Sequence, residues 1–226
     1  MLMWTVAFGR TSPRQLAAVA GVALMILFLA GGAARTASSG ADEAGAFVRD
    51  LAEQATKVLA DPALTPAERR GEIGRLLLSR VDTQRIGRFV LGRYWNKTSE
   101  AEHREYLRLF DAYIVATYAQ RLESYSGDRL SVETARRLSE TRAVVSTLLI
   151  RPEGAPIQAD WQLLRSAGGG KWRVVDVIIE GVSMALTQRS EFGAVIKASG
   201  GRIAPLLDRL REKTATLTAA AATTPN

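Results

Sequence analysis

The sequence predicts an α+β fold: a four-stranded antiparallel meander sheet covered by helices, with an apolar pocket between sheet and helices. Three observations lead there. From Phe47 to about Ser124 the apolar residues recur at helical spacing; from Arg129 to Ile179 they alternate in short segments broken by turn residues; after Gly181 the helical spacing returns. Helices followed by a block of strands place the helices on one side of an antiparallel sheet. No internal repeat or second compositional regime divides the 226 residues, so residues 46–213 are expected to form a single domain.

The amino-terminal 34 residues suit an address better than a structural element. Arg10 and Arg14 form a basic start, Leu16 to Ala30 is almost wholly apolar, and Gly31-Gly32-Ala33-Ala34 offers small residues for cleavage. This is the pattern of a signal peptide that directs export to the periplasm. An uncleaved anchor is the other reading, although a membrane-spanning helix wants about 20 apolar residues and this run is shorter. Residues 35–45, rich in Ala, Ser and Gly, are expected to be a flexible linker.

Helical elements follow in order. Phe47, Leu51, Ala55, Val58 and Leu59 mark a first amphipathic helix that stops at Asp61-Pro62. Thr65-Pro66-Ala67-Glu68 is a capping box with proline at the first helical position, opening a second helix that buries Ile73, Leu76, Leu77 and Leu78. A third begins near Asp82, carries Ile86, Phe89 and Val90 on one face, and ends at Gly92. Ser99-Glu100-Ala101-Glu102 is a second capping box, and the long helix after it concentrates Tyr106, Phe110, Tyr113 and Tyr118 within one apolar stripe. Such a stripe is either a core seam or the wall of a site for an apolar ligand of variable shape.

Strands are expected at about Arg129 to Leu138, Arg142 to Ile150, Pro156 to Arg165 and Lys171 to Ile179. The third alternates apolar and polar residues; the second, with Val145 and Leu149, and the fourth are apolar on both faces, as buried strands are. In the fourth, strict alternation puts Trp172, Val174 and Ile178 on one face and Val175, Val177 and Ile179 on the other. Gly181 then turns the chain, and Ser183 stands where a helix N-cap belongs, before Met184, Arg189, Phe192 and Ile196. A short helix from Ala204 to Lys213 follows, and residues 214–226 are expected to be a disordered tail.

The chemistry on offer is thin. There is no cysteine, hence no disulfide framework or thiol chemistry. The one histidine, His103, lies between Glu102 and Arg104 in a charged first turn, where a solvated surface position is expected. With so few ligands and nucleophiles, catalytic triads and His-bearing metal sites have almost nothing to draw on, and no metal or organic cofactor is expected. Gly168-Gly169-Gly170 joins two strands rather than opening a helix, so it is a hairpin turn and not a phosphate loop. Asp176, alone among apolar neighbours, is the one acid placed for general-base work; equally, it is a structural carboxylate held by an arginine or by amides at the following helix start. Arg189 is the nearest candidate partner for it, or a phosphate contact.

The formal net charge is +7. Loss of the leader would remove two of the 30 basic residues and none of the 23 acidic ones, leaving +5. The basic residues are scattered along helices without a Lys/Arg block, which argues against nucleic acid and leaves docking to anionic lipid or an acidic partner open. What stands out is apolar area in excess of a single seam, and a cavity for an acyl ligand would account for it.

Four stretches, in order and spacing, resemble the MlaC family of exported phospholipid-binding proteins, the toluene-tolerance type auxiliary component of an ABC transport system. They are Ile86-Gly87-Arg88-Phe89-Val90-Leu91-Gly92-Arg93-Tyr94-Trp95, Glu105 to Phe110, Trp172 to Ser183, and Gln188-Arg189-Ser190-Glu191-Phe192. The resemblance spans about Phe47 to Lys213. It implies a non-enzymatic periplasmic carrier that maintains outer-membrane lipid asymmetry, a monomer moving phospholipid between an outer-membrane lipoprotein complex and an inner-membrane ABC transporter complex. It also implies pocket or rim roles for Tyr94, Trp95, Val177, Ile179, Val182, Ser183, Met184, Arg189 and Phe192. Phe110, Tyr113 and Tyr118 join them from the aromatic stripe, Phe89 from the third helix, and Val145 and Leu149 from the second strand. A related branch from hopanoid-producing bacteria shares the motifs, so a triterpenoid cargo is the alternative lipid. A pocket enzyme based on Asp176 and a lipid-free scaffold between membrane complexes are the readings from other classes.

Overall fold

A computed structural model of the chain describes residues 31–123, 129–152 and 154–223. Six helices and five strands follow in the order α1 (Gly31–Leu59), α2 (Pro66–Arg80), α3 (Thr83–Leu91), α4 (Glu100–Glu123), β1 (Arg129–Arg137), β2 (Arg142–Ile150), β3 (Ile157–Leu164), β4 (Arg173–Ile179), β5 (Val182–Ser183), α5 (Met184–Ala198) and α6 (Ala204–Thr223), with a 3₁₀ turn over Gly92–Lys97 between α3 and α4.

Local chemistry explains the helix starts. Thr65 accepts from the Glu68 amide while the Glu68 carboxylate accepts from the Thr65 amide, completing the expected capping box at α2. Ser99 and Glu102 repeat the arrangement at α4. Asp82 caps α3 through the Arg85 amide, and Ser183 caps α5 through the Leu186 amide at 3.1 Å.

The strands form one antiparallel meander, β1-β2-β3-β4-β5. Four strands were expected; the fifth is the two-residue β5. Glu180 and Gly181, both at positive φ (48° and 80°), make a two-residue hairpin that pairs Ile179 with Val182. The non-glycine member of that turn is held in place: the Glu180 carboxylate accepts from the Gln158 amide at 2.6 Å.

Within β4 strict alternation fails. Gln162 pairs with Asp176, but its neighbour Leu163 pairs with Val174, so Val175 is an extra residue, a β-bulge. The bulge moves Trp172 and Val174 onto the same inward face as Val177, instead of opposite it as a uniform two-residue period requires. Opposite them in the ladder, Ala159, Trp161 and Leu163 of β3 face inward alongside Ala143, Val145 and Thr147 of β2.

Two apolar clusters hold the layers. One joins α1 to the sheet through Ala44, Val48, Leu51, Ala143, Val145, Leu163, Trp172 and Val174. The other lies among α3, α4, α5 and α6, around Tyr106, Phe110, Phe192, Ile196 and Leu206.

Two expectations about the ends are corrected. Residues 35–45 are not a linker but part of α1, with Ala44 fully buried. Small side chains there let the helix lie close to β1: a Cβ on Gly45 would sit 3.4 Å from that of Ala135. The presumed tail continues α6 as far as Thr223, an Ala-rich run with high intrinsic helix propensity. The basic start and apolar run of the proposed signal peptide, residues 1–30, lie outside the described residues. No described helix is long and apolar enough to cross a membrane.

Candidate functional site

Between the sheet and the helices lies a cavity of about 480 Å³. Its helical wall is α1 (Leu51, Ala52, Ala55, Thr56, Leu59), α2 (Ile73, Leu76, Leu77), the start of α3 (Thr83, Ile86) and α4 (Phe110, Ile114, Tyr118). The sheet supplies Leu130, Leu149, Ile157, Ala159, Trp161, Val174, Val177 and Ile179, and α5 closes one side with Met184, Ala185 and Gln188. The volume falls within the range of small-molecule sites, and the wall is aliphatic and aromatic with few polar groups, as such sites are.

The opening follows from residue size. Between Leu51 and Leu59, α1 turns Ala52 and Ala55 to the void, and their short side chains leave space there. Trp161 is tethered across the floor, its Nε1 donating to Thr147 Oγ1 at 3.0 Å while that hydroxyl donates to the Ala159 carbonyl at 3.0 Å. Because the ring is fixed by this chain of bonds, it does not collapse into the void.

Asp176 sets the far wall. Its Oδ2 accepts from Ser183 Oγ at 2.6 Å, and its Oδ1 accepts from the amides of Val177 (2.8 Å) and Ala185 (3.0 Å). Ser183 thus links the carboxylate to the start of α5, donating to Asp176 and accepting from Leu186. Both carboxylate oxygens are engaged in anchoring the helix start, where negative charge is also favoured. This is the amide arrangement, not the arginine pair. Arg189 instead lies over the Phe89 ring, 4.9 Å from its centroid, and packs against Gly92, where a Cβ would come within 3.0 Å of the guanidinium carbon.

Of the expected site residues, Phe110, Tyr118, Leu149, Val177, Ile179 and Met184 border the cavity. The others do not. Val145 is fully buried under α1, Tyr94 is buried in the helical core, and Phe192 stacks edge-on against Tyr106 and Phe110. Trp95 is taken up by His103, and Ser183 by Asp176. Phe89 and Val182 point outward, 41% and 52% exposed, because α3 turns its Val90 and Leu91 inward and the short hairpin leaves Val182 at its rim. Tyr113 borders a separate groove lined by α4, α5 and α6.

His103 is not a solvated surface residue. It is 8% exposed, its ring stacks on Trp95 at 3.9 Å between centroids, and its Nε2 donates to the Trp95 carbonyl at 2.8 Å. The 3₁₀ turn brings Trp95 back over the first turn of α4, an approach that the charged neighbours of His103 do not reveal. Among the described residues no group of three or more His, Asp or Glu side chains is placed to hold a metal.

Reading by periodicity missed most of the helical wall. Leu51, Ile73, Leu76, Leu77, Ile86 and Ile114 read simply as buried faces, since spacing reports burial and not what is buried against them. The one signal available was the pair Ala52 and Ala55, two small residues on the inward side of an otherwise well-filled helix.

An antiparallel sheet covered by helices round an apolar cavity gives an α+β fold with room for an apolar ligand, and no metal-ligating cluster stands among the described residues. Comparison with known proteins narrows this. The chain belongs to the MlaC protein family, whose model matches residues 49–212. A curated relative, the intermembrane phospholipid transport system binding protein MlaC of Haemophilus influenzae, is 28% identical over 137 residues, 60% of this chain. The match spans 62% of that relative's length. Among solved structures, a phospholipid-binding protein from Ralstonia solanacearum in complex with a phospholipid superposes with a TM-score of 0.67 at 24% identity, covering 78% of this chain and 99% of that one. That likeness shows the fold.

Proposed function

We propose that the protein is a phospholipid-binding shuttle, a non-enzymatic carrier that holds acyl chains in the cavity between sheet and helices. The observation that carries the reading is the apolar cavity of about 480 Å³, kept open by Ala52 and Ala55 and by the tethered Trp161, in a chain of the MlaC family. Chains entering it would bury apolar area at roughly 25 cal/mol per Å², with little demand on polar contacts. The relative's role in intermembrane phospholipid transport and the phospholipid bound to the solved neighbour support this cargo over a triterpenoid.

On this reading the protein works as a monomer in the periplasm after export. It would exchange lipid between an outer-membrane lipoprotein complex and an inner-membrane ABC transporter, as an auxiliary component of a system that preserves outer-membrane lipid asymmetry. The test is native mass spectrometry of the purified protein, followed by delipidation and reloading from phospholipid vesicles. One phospholipid per chain is expected, and Ala55→Trp, which fills the void from α1, is expected to abolish it while the fold persists. Protein that neither retains nor takes up lipid overturns the reading; a bound hopanoid in place of phospholipid overturns the cargo.

A further inference from the structure

The burial of its walls gives the cavity a shallow end and a deep end. Along α1, Leu51 is buried, Ala55 half-buried and Thr56 exposed. The inward residues of the strands grade the same way: Ala143, Val145, Leu163 and Val174 are buried, whereas Leu149, Ile157 and Ile179 are half-buried. Among the described residues the deep end therefore lies toward Leu51, Leu163 and Val174, and the shallow end toward Thr56, Leu149 and Ile157.

Trp161 stands at the boundary between the deep end and the filled core. It packs on the cluster of Val48, Val145, Leu163, Trp172 and Val174, and it also borders the void. The next inward residue of β3 is the buried Leu163; the one before it is Ala159, which fills little. The indole is held where it is. Its Nε1 donates to Thr147 Oγ1 at 3.0 Å, and that fully buried hydroxyl donates to the Ala159 carbonyl at 3.0 Å, so turning the ring would orphan a donor beside an apolar space. From Ile157 to Trp161 the strand advances four residues, about 13 Å. That depth is nearer to an extended lauroyl chain than to an extended stearoyl chain.

We propose that Trp161, held by Thr147, is the stop against which the acyl chains end, so that the chamber selects lipids by tail length. The inference rests on the acyl-cavity reading and adds a preference to it. A chain that fits exchanges one apolar surrounding, the bilayer, for another. Methylenes that the stop keeps out of the chamber stay in water, and each lowers uptake from a membrane about fourfold. The preference therefore falls on shorter tails, and the position of one side chain sets it.

The test is equilibrium uptake by the delipidated full chain from fluid vesicles of equal parts dilauroyl-, dimyristoyl-, dipalmitoyl- and distearoyl-phosphatidylcholine, with the bound lipid extracted and read by mass spectrometry. Wild type is expected to take the shorter lipids, with a fall of at least about tenfold between two successive members, where the chains outrun the stop. Trp161→Ala is expected to move that fall to a longer member. Trp161→Phe keeps a ring against the core, which guards the fold, and is expected to shift the profile in the same direction by less. Thr147→Val frees the indole and is expected to blunt the fall. Ile157→Ala, at the shallow end, is expected to leave its position unchanged. A flat or rising wild-type profile overturns the stop, as does a wild-type profile in both Trp161 variants, an equal loss of all lipids in Trp161→Phe, or a shift as large in Ile157→Ala. An unchanged profile in Thr147→Val overturns the part given to Thr147. A wild type that takes up none of the lipids sinks the cavity reading itself.

Discussion

The two faces of α4 make opposite use of similar side chains. Toward α5 and α6, Tyr106 and Phe110 lie 6.4 and 6.2 Å from Phe192 in edge contacts, and Tyr113 lies 6.1 Å from it at a tilt. Tyr106 and Phe110 are fully buried among these rings, and the Tyr106 hydroxyl is satisfied by the Gly87 carbonyl at 3.0 Å. Burial accordingly pushes the Tyr106 phenol well above its ordinary value. Toward the sheet, Phe110, Ile114 and Tyr118 border a void whose other walls include Ala52, Ala55, Ala159, Val177 and Ile179. Apolar composition therefore does not distinguish a core from a cavity. What does is whether partners of matching size arrive from the neighbouring elements.

Truncation is the strongest way to break this contrast. Tyr106→Ala should cost about 3–5 kcal/mol in chemical denaturation, since it opens a cavity in a closed core and orphans a carbonyl. Leu76→Ala, on the wall of the existing void, should cost less than about 2 kcal/mol, because one side of Leu76 already lacks packing partners. Equal costs would mean that the cavity wall is as tightly packed as the helical core.

Next in size is the anchor between the two regions. Asp176→Ala removes the acceptor of two amides and a hydroxyl, and should cost about 2 kcal/mol while loosening the start of α5, seen as faster hydrogen exchange at Ala185. If stability is unchanged but a chemical turnover is lost, the general-base reading of Asp176 returns.

A smaller effect probes how closely α3 approaches α4. A Cβ on Gly87 would lie 2.9 Å from Leu107 and 3.1 Å from Phe110, so Gly87→Ala should cost about 1–2 kcal/mol through overpacking. Ala55→Phe on the cavity side should be tolerated to within about 1 kcal/mol, because it enters empty space. Thermal melts of both variants check the pair.

The smallest effect is acidic. Hydrogen bonds from the Ser99 amide, and then from its hydroxyl, hold the Glu102 carboxyl below its ordinary value of 4.5, and Thr65 does the same for Glu68. A carboxylate whose folded pKa is depressed stabilises above the unfolded value and loses that contribution as pH falls through the folded one. The caps therefore contribute fully near neutral pH and fade below about pH 4.5. In Glu102→Gln the acid-induced loss of stability should be shallower; an unchanged pH profile would show that the cap is not populated in solution.

How far the sequence could be read differs between fold and site. The capping boxes at Thr65 and Ser99 and the N-cap Ser183 placed three helix starts, because a cap is a local bond among residues three apart. The alternating stretches placed β1 to β4 to within about two residues. The cavity was far less legible. Val177 and Ile179 belonged to a recognisable strand and Phe110 and Tyr118 to a recognisable stripe, yet Tyr113 and Phe192, carried by equally good patterns, went to the other side of the helical layer.

By itself the sequence determined the element order, the antiparallel meander, the helix caps and the family resemblance, all of which rest on interactions between residues close in the chain or on motif spacing. Only the tertiary structure decided which side of each element is filled. The bulge at Val175 turned Val174 onto the face of Val177, Trp95 came back to cover His103, and Asp176 took its bonds from the start of α5 rather than from Arg189. The reason is common to all three: periodicity states that a side chain is buried, but the size and reach of its partner belong to another element, and only the docking of that element shows whether the space is closed or left for a ligand.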